Sequence, residues 1–424
     1  MGLLLRNRDF VLAWTGGLIS MLGGWALWIA LPLHVYATTG SALAASVVVA
    51  SVLVPGVLLG SIAGVYVDRW NRKTTLVVAN LLLTVATLPL LLATDESLLW
   101  VVYPLVFFSE VLEQFTGPAE NAFLPRLVAA EDLVAANSLN SLNNNLARLG
   151  GPALGGALYA AGGLSGVVIA DAVSFLVAAC LLASVRASGA IEAVGDATDA
   201  AVRRWRRVWQ EWRDGLAVVR RRRAIGVVFS VTAITSLGEG VFAVMFAVWV
   251  REVLEAGVPQ LGVLHTSQAV GGLIGGVLVA YAGRRLVPER LYGVALLVFG
   301  IFDLILFNYP LLFDGVWLGS ALMILVGIPG ASSQTARTTI LQTHVEDAYR
   351  GRVFGSLGTS SALLMLVGTA IAGAVGDRLG AIALLNIQGS VYVVAGLFVL
   401  AALAPRAVRP PVSGSATSGA GPAP

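Results

Sequence analysis

Long apolar runs alternate with short polar or arginine-rich breaks along almost the whole chain. Each run has about the 20 mostly apolar residues needed to cross a bilayer as a helix. Read between the breaks, the pattern predicts twelve spans: 10–36, 42–67, 74–93, 98–122, 134–161, 164–185, 225–250, 258–282, 291–309, 315–340, 353–376 and 381–404. The fourth, fifth and tenth are the most polar. The first run, Phe10 to Tyr36, is far longer than the apolar stretch of a signal peptide and reads as a spanning helix.

Composition agrees. Of 424 residues, 57% are hydrophobic and only 12% charged, with mean hydropathy +0.83. A soluble domain carries about 25% charged residues, so most of this surface must face lipid. Basic residues set an orientation. With both termini in the cytoplasm, inside segments hold 23 of the 27 arginines and lysines. Arg251 and Arg378 are left outside, and Arg148 and Arg337 fall within spans. That bias follows the positive-inside rule and predicts a multi-pass protein of the bacterial inner (cytoplasmic) membrane.

Several chemistries are excluded. The only lysine, Lys73, follows Arg72, so no phosphate-cradling Gly-Lys-Ser/Thr loop exists and no ATP-driven engine is encoded. The single cysteine, Cys180, rules out an internal disulfide. His34, His265 and His344 lie far apart, so a metal cluster is not expected, and each reads as a helix-end or satisfied polar residue. No cofactor is expected, and no nucleophile–base–orienter set marks an enzyme.

Six spans, a charged break at 186–224 and six more spans predict a duplication. Its units are an N-terminal bundle (1–185), a cytoplasmic linker (186–224), a C-terminal bundle (225–404) and a disordered Pro/Gly/Ser-rich tail (405–424). At an offset of 215 residues Gly23 meets Gly238, Gly60 meets Gly275, Tyr66 meets Tyr281, and Arg69 meets Arg284. Parallel repeats of this kind place a substrate site between the halves near mid-membrane. Within the linker, Trp205, Val208, Trp209, Trp212, Leu216 and Val219 recur at helical spacing among arginines. This predicts an amphipathic helix on the cytoplasmic leaflet, touching membrane lipids or the two bundles. Nucleic acid is the rival partner of any basic run and is not expected between membrane spans.

Gly64-Val-Tyr-Val-Asp68-Arg69-Trp-Asn-Arg72-Lys73 stands between the second and third spans. It resembles the signature loop of the major facilitator superfamily, Gly-x-x-x-Asp-Arg-x-Gly-Arg-Lys. Asn71 replaces the second glycine and is among the few residues that tolerate a left-handed turn. The resemblance implies an all-α membrane protein of two pseudo-symmetric six-helix bundles. It also implies that Asp68 and the following basic residues latch the halves together in one state. The plainer reading is that Arg69, Arg72 and Lys73 only fix orientation. The fifth span's Gly151-Pro152-Ala-Leu-Gly155-Gly156 is similar to the Gly-Pro-x-x-Gly-Gly motif of the superfamily's drug/proton antiporters, although close helix packing alone explains such a cluster. Arg6-Asn7-Arg8-Asp9-Phe10 with Trp14, Asp171-Ala-Val-Ser174-Phe175 and Arg350-Gly351-Arg352-Val353 resemble an export-type branch that includes macrolide-efflux and enterobactin-exporter-like proteins.

Charges inside spans cost about 2.5–3.5 kcal/mol each on insertion scales and default to functional candidates. Glu110 and Glu113 lie one turn apart in the fourth span, with Glu120 on the same side. On the fifth, Asn137, Ser141, Asn144 and Arg148 form one polar stripe. Glu110 or Glu113 is the candidate proton-coupling carboxylate, with Arg148 modulating it; a buried Glu–Arg tether between helices is the alternative. Glu239 and Asn144 are candidates for the substrate cavity, Trp25, Trp28 and Phe107 for a greasy lining. Asp303 and Asp171 read as structural. The polar machinery thus looks richer in the first half. The sequence predicts a monomeric, proton-coupled exporter of a hydrophobic or amphipathic small molecule. The alternatives are a dedicated exporter of a siderophore, lipid or metabolite, or a non-transporting scaffold or sensor.

Overall fold

A computed structural model describes residues 7–67, 69–94, 96–189, 210, 212–213, 222–282 and 286–403. Among these, eleven helices are long and apolar enough to cross a membrane. The longest, Leu133–Ala183, contains non-helical backbone at Gly162 (φ −142°) and Gly163 (φ 60°, ψ −155°) and therefore makes two crossings. Only glycine enters the Gly163 conformation without strain, which is why one hairpin reads as one helix.

Twelve spans result. They are α1 (Arg8–Thr39), α2 (Ala42–Val67), α3 (Arg72–Thr87), α4 (Val102–Leu127), α5 (133–161), α6 (164–183), α7 (Arg223–Glu252), α8 (Val258–Ala282), α9 (Pro288–Asn308), α10 (Val316–His344), α11 (Asp347–Leu379) and α12 (Ala381–Ala402). Pro89 follows α3, and the third span continues as the 3-10 turns Leu88–Thr94 because proline offers no backbone donor to an α-helical ladder. Gly40 closes α1 in the left-handed conformation (φ 63°), its N–H on the Tyr36 carbonyl.

Packing follows the duplication. Helices α1, α3 and α6 pack together in the first half, and α7, α9 and α12 in the second; α2 packs on α4 as α8 packs on α10. The repeat-matched glycines sit at equivalent crossings. A Cβ on Gly23 would strike Ser174 and Asp171 of α6, and one on Gly238 would lie 3.1 Å from Gln388 of α12. The halves meet chiefly where α5 crosses α8 and α2 crosses α11.

Several motif residues have local explanations. Asn7 caps α1, its Oδ1 accepting the Phe10 N–H at 3.0 Å, while Asp9 Oδ2 accepts the N–H groups of Arg186 and Ala187 at 3.0 and 2.8 Å. Asn71 does not take the left-handed turn expected of it: its φ of −62° and ψ of 110° are extended. It instead caps α3 by accepting the Thr74 N–H at 3.1 Å, a role glycine fills less well. The amphipathic-helix stretch lies mostly outside the described residues, as do the tail from 404, Arg6, Arg284 and Asp68. Trp212 of that stretch binds α11, not lipid alone: its Nε1 donates to Ser360 Oγ at 3.2 Å, and Ser356 Oγ donates to its carbonyl at 3.0 Å.

Candidate functional site

The two ends of the bundle differ. At the end bearing the α1–α2 turn the halves are sealed. The Ala42 N–H, first in α2, donates to Asp377 Oδ1 of α11 at 2.7 Å, and the Tyr36 hydroxyl donates to Glu252 of α7. Gly373 and Gly376 of α11 let Ser46, Leu43 and Ala42 of α2 approach. At the end bearing the chain termini, Asn137, Asn144 and Arg148 of α5, Glu120 of α4 and Gln334 of α10 are exposed. The described halves are thus joined at the α1–α2 end and expose polar groups toward the other.

The Gly-Pro-x-x-Gly-Gly residues build part of the seal. A Cβ on Gly155 would lie 2.7 Å from the Ala26 carbonyl of α1, and Gly151 faces Trp25 and the Leu22 carbonyl of the same helix. Gly156 turns to the other half, where a Cβ would sit 3.0 Å from Pro259 Cα. Gly262 of α8 in turn abuts the Pro152 carbonyl.

Within the first half a cavity of about 580 Å³ is walled by Glu110, Glu113, Glu120, Asn144, Trp14 and Trp25 among others. Glu113 and Glu120 are exposed to it and Glu110 is half-buried. Among the described residues neither Glu110 nor Glu113 has an ion-pair partner. The Glu110 carbonyl accepts the Gln114 side chain at 3.4 Å, and the Glu113 carbonyl accepts the Thr116 hydroxyl at 2.9 Å.

Arg148 lies elsewhere. It shares a central cavity of about 160 Å³ between the halves with Glu239, His265, Gln268, Trp25 and Trp28. Its field reaches Glu239 and His265. Glu239 accepts the Tyr392 hydroxyl of α12. Above it an aromatic ladder links three helices: Trp25 to Trp28 (5.3 Å between centroids), Trp28 to His265 (6.1 Å), His265 to Phe246 (5.1 Å) and Phe246 to Phe242 (4.8 Å). Phe107 is exposed and lines neither cavity. The structure therefore brings together Glu110, Glu113 and Asn144 in one space and Arg148 with Glu239 in another.

His265, read from the sequence as a helix-end or satisfied polar residue, lies inside α8 and lines the central cavity. So does Gln268, which sequence reasoning passed over; their signal was the polar run His265-Thr-Ser-Gln268 in an apolar helix. Sequence reasoning also passed over Asn80, Asn121, Asn140 and Asn143, which line the larger cavity. In the signature loop, Arg72 Nη1 donates to the Ala122 carbonyl at 3.0 Å and Lys73 Nζ to the Val185 carbonyl at 2.6 Å. Both cations thus complement the C-terminal ends of α4 and α6 within the first half. Gly64 lies in α2 and Arg69 in the turn after it, its N–H on the Tyr66 carbonyl at 3.0 Å.

A family model described as transmembrane secretion effector matches residues 4–412. Macrolide efflux protein A of Streptococcus pyogenes is 24% identical over 373 residues, covering 88% of this chain and 90% of that protein. The enterobactin exporter EntS of Citrobacter koseri is 24% identical over 411 residues, covering 94% and 93%. A bacterial homologue of the iron transporter ferroportin, solved in its inward-facing state, superposes with a TM-score of 0.72 at 18% identity, covering 94% of this chain and 99% of that one.

Proposed function

Because this chain belongs to the transmembrane secretion effector family of major facilitator transporters, we propose that it is a proton-coupled exporter of a hydrophobic or amphipathic small molecule. The observation that carries the reading is the cavity of about 580 Å³ in the first half, walled by aromatic rings and by carboxyls without ion-pair partners among the described residues. Aromatic walls accept an apolar body, and unpaired carboxyls at membrane depth accept protons. The chain works as a monomer in a bacterial inner membrane, both termini cytoplasmic, so the end that exposes polar groups is the cytoplasmic one. Halves at 1–185 and 225–404 rock about the central cavity and expose it alternately. Arg69, Arg72 and Lys73 with Asp68 latch the inner end when it closes. Glu110 or Glu113 carries the coupled proton.

Arg148 acts on Glu239 instead of on those acids, which fits Glu239 and Asn144 as substrate-facing groups in two connected parts of one pathway. The efflux and enterobactin-export relatives support outward transport; the latter also supports a dedicated siderophore or metabolite exporter as the second reading. The test is purified protein in liposomes under an imposed pH gradient with a panel that includes a macrolide and a catechol siderophore. Export of at least one compound should stop when the gradient is collapsed. Transport indifferent to collapse removes proton coupling. Full gradient-driven transport by both Glu110→Gln and Glu113→Gln removes the acids.

A further inference from the structure

Asp171 lies at the crossing of α6 with α1 and is 2% exposed. The crossing is tight: a Cβ on Gly23 would strike Asp171 Oδ1 and Ser174 Oγ. A purely structural aspartate at such a place is tied down by donors. This one is held loosely: the Ser174 hydroxyl beside the carboxyl is shared with the Asp171 backbone carbonyl, which accepts it at 2.8 Å, and Oδ1 has no hydrogen-bond partner among the described residues. The carboxyl instead borders a small cavity of about 70 Å³ whose wall also holds Glu110 and Glu113 of α4. That volume is large enough for a water, and the three carboxyls are among the few polar groups on its wall.

The surroundings supply no counter-charge. The parts of α1, α2 and α3 that wall this cavity contribute Gly, Leu, Val, Trp, Pro and Thr. From α4 come Ser109 and the two glutamates. The nearest cation on α5, Arg148, belongs to the central cavity. A carboxylate at Asp171 would be a buried charge facing two other acids with an oxygen unbonded, the costliest form such a group takes. A carboxylic acid carries no charge and can give its proton back across the cavity.

We propose that Asp171 is a second proton-binding carboxyl of the coupling site, exchanging its proton with Glu113. In the step, the Glu113 carboxyl O–H bond breaks and an O–H bond forms at Asp171 Oδ1, directly or through water; Glu113 is left as the carboxylate and no electron moves between groups. Glu113 faces the open cavity and Asp171 does not, so Asp171 is the occluded store and Glu113 the loading point. This rests on the proton-coupled reading above and adds a residue to it.

The test needs no substrate. Full-length protein in lipid is stepped through pH on an infrared crystal, and the carboxyl C=O stretch is followed in water and in heavy water. Wild type shows a band that tracks pH, Asp171→Asn lacks one component of it, and Glu113→Gln moves the midpoint of that component by about one pH unit, as coupled groups require. An Asp171→Asn spectrum identical to wild type, with Glu110→Gln or Glu113→Gln removing a band, overturns the Asp171 assignment and leaves the coupling acids standing. Spectra unchanged in all three variants overturn both. If Asp171→Asn fails to fold, Asp171→Glu replaces it: a displaced band supports the assignment, an undisplaced spectrum refutes it.

Discussion

Gly156→Ala should unseal the outer end without unfolding the protein. The new methyl would sit 3.0 Å from Pro259 Cα and 3.0 Å from its carbonyl oxygen, and 3.3 Å from the Val258 carbonyl. All three are backbone atoms, so no side chain can turn away. Carbon atoms pack at about 3.5–4.0 Å, so α5 and α8 must separate by roughly half an ångström. Overpacking of this kind costs about 1–3 kcal/mol. The contact joins the two halves at the sealed end, so the cost falls on the sealed state and not on a state in which the helices have parted. Such an energy shifts the two populations about 5- to 150-fold. The assay is labelling of Val49→Cys, a 3%-exposed wall of the central cavity, by a membrane-impermeant maleimide added outside. The background is Cys180→Ser. Gly155→Ala is the control: its methyl would meet Ala26 backbone atoms at 2.7 and 2.8 Å within the first half. It should lower the melting temperature and leave labelling alone. A folded Gly156→Ala protein labelled at the parent rate, or equal acceleration by Gly155→Ala, refutes the reasoning.

Three further outcomes follow from the same geometry. Asp377→Ala removes the acceptor of the α2 terminal N–H and should weaken the seal by about 0.5–2 kcal/mol, read as faster Val49→Cys labelling, whereas Asp377→Asn keeps an acceptor and most of the seal. Gly271→Ala forces a methyl against the Ile324 backbone and should destabilise by about 1–3 kcal/mol; its neighbour Gly272→Ala meets nothing within 4 Å and should be neutral or gain up to about 1 kcal/mol. Thermal unfolding in detergent separates the pair. Tyr392→Phe leaves Glu239 without its donor and should cost about 1–3 kcal/mol in the same assay, a loss that disappears when Glu239→Leu, which has no acceptor, is already present.

Architecture was legible because lipid imposes a length and an apolar composition on every span, and both can be read from the chain alone. Even the turn between α5 and α6, where a glycine pair interrupts the helix only at Gly162 and Gly163, falls between the spans expected at 134–161 and 164–185. The stripe Asn137, Ser141, Asn144, Arg148 forms one exposed face of α5. Helical spacing gives the face of a residue on its own helix and says nothing of which neighbour that face meets. Arg148 therefore paired on paper with the acids of α4, the adjacent span in sequence, while the fold turns it toward α7 and α8.

The same limit explains why the chemistry looked confined to the first half. Each polar residue of the second half stands nearly alone in its own span, and a lone Asp, Gln or Tyr in an apolar helix carries no spacing to read. The fold pairs them. Asp303 of α9 accepts the Gln388 side chain of α12 at 3.1 Å, Asn308 and Asn386 exchange hydrogen bonds at 2.6 and 3.0 Å, and Tyr392 of α12 holds Glu239 of α7. These pairs tie α12 to α9 and α7, with Glu239 on the wall of the central cavity. The first half has the opposite character. Glu110, Glu113 and Asp171 border one space that no Lys, Arg or His among the described residues lines, and Asp171 Oδ1 has no hydrogen-bond partner there. A paired polar group holds geometry, and an unpaired buried carboxyl is the one that protonation relieves. Under the proposed proton-coupled cycle the division of labour is by pairing: the second half holds the site steady and the first half carries the protons.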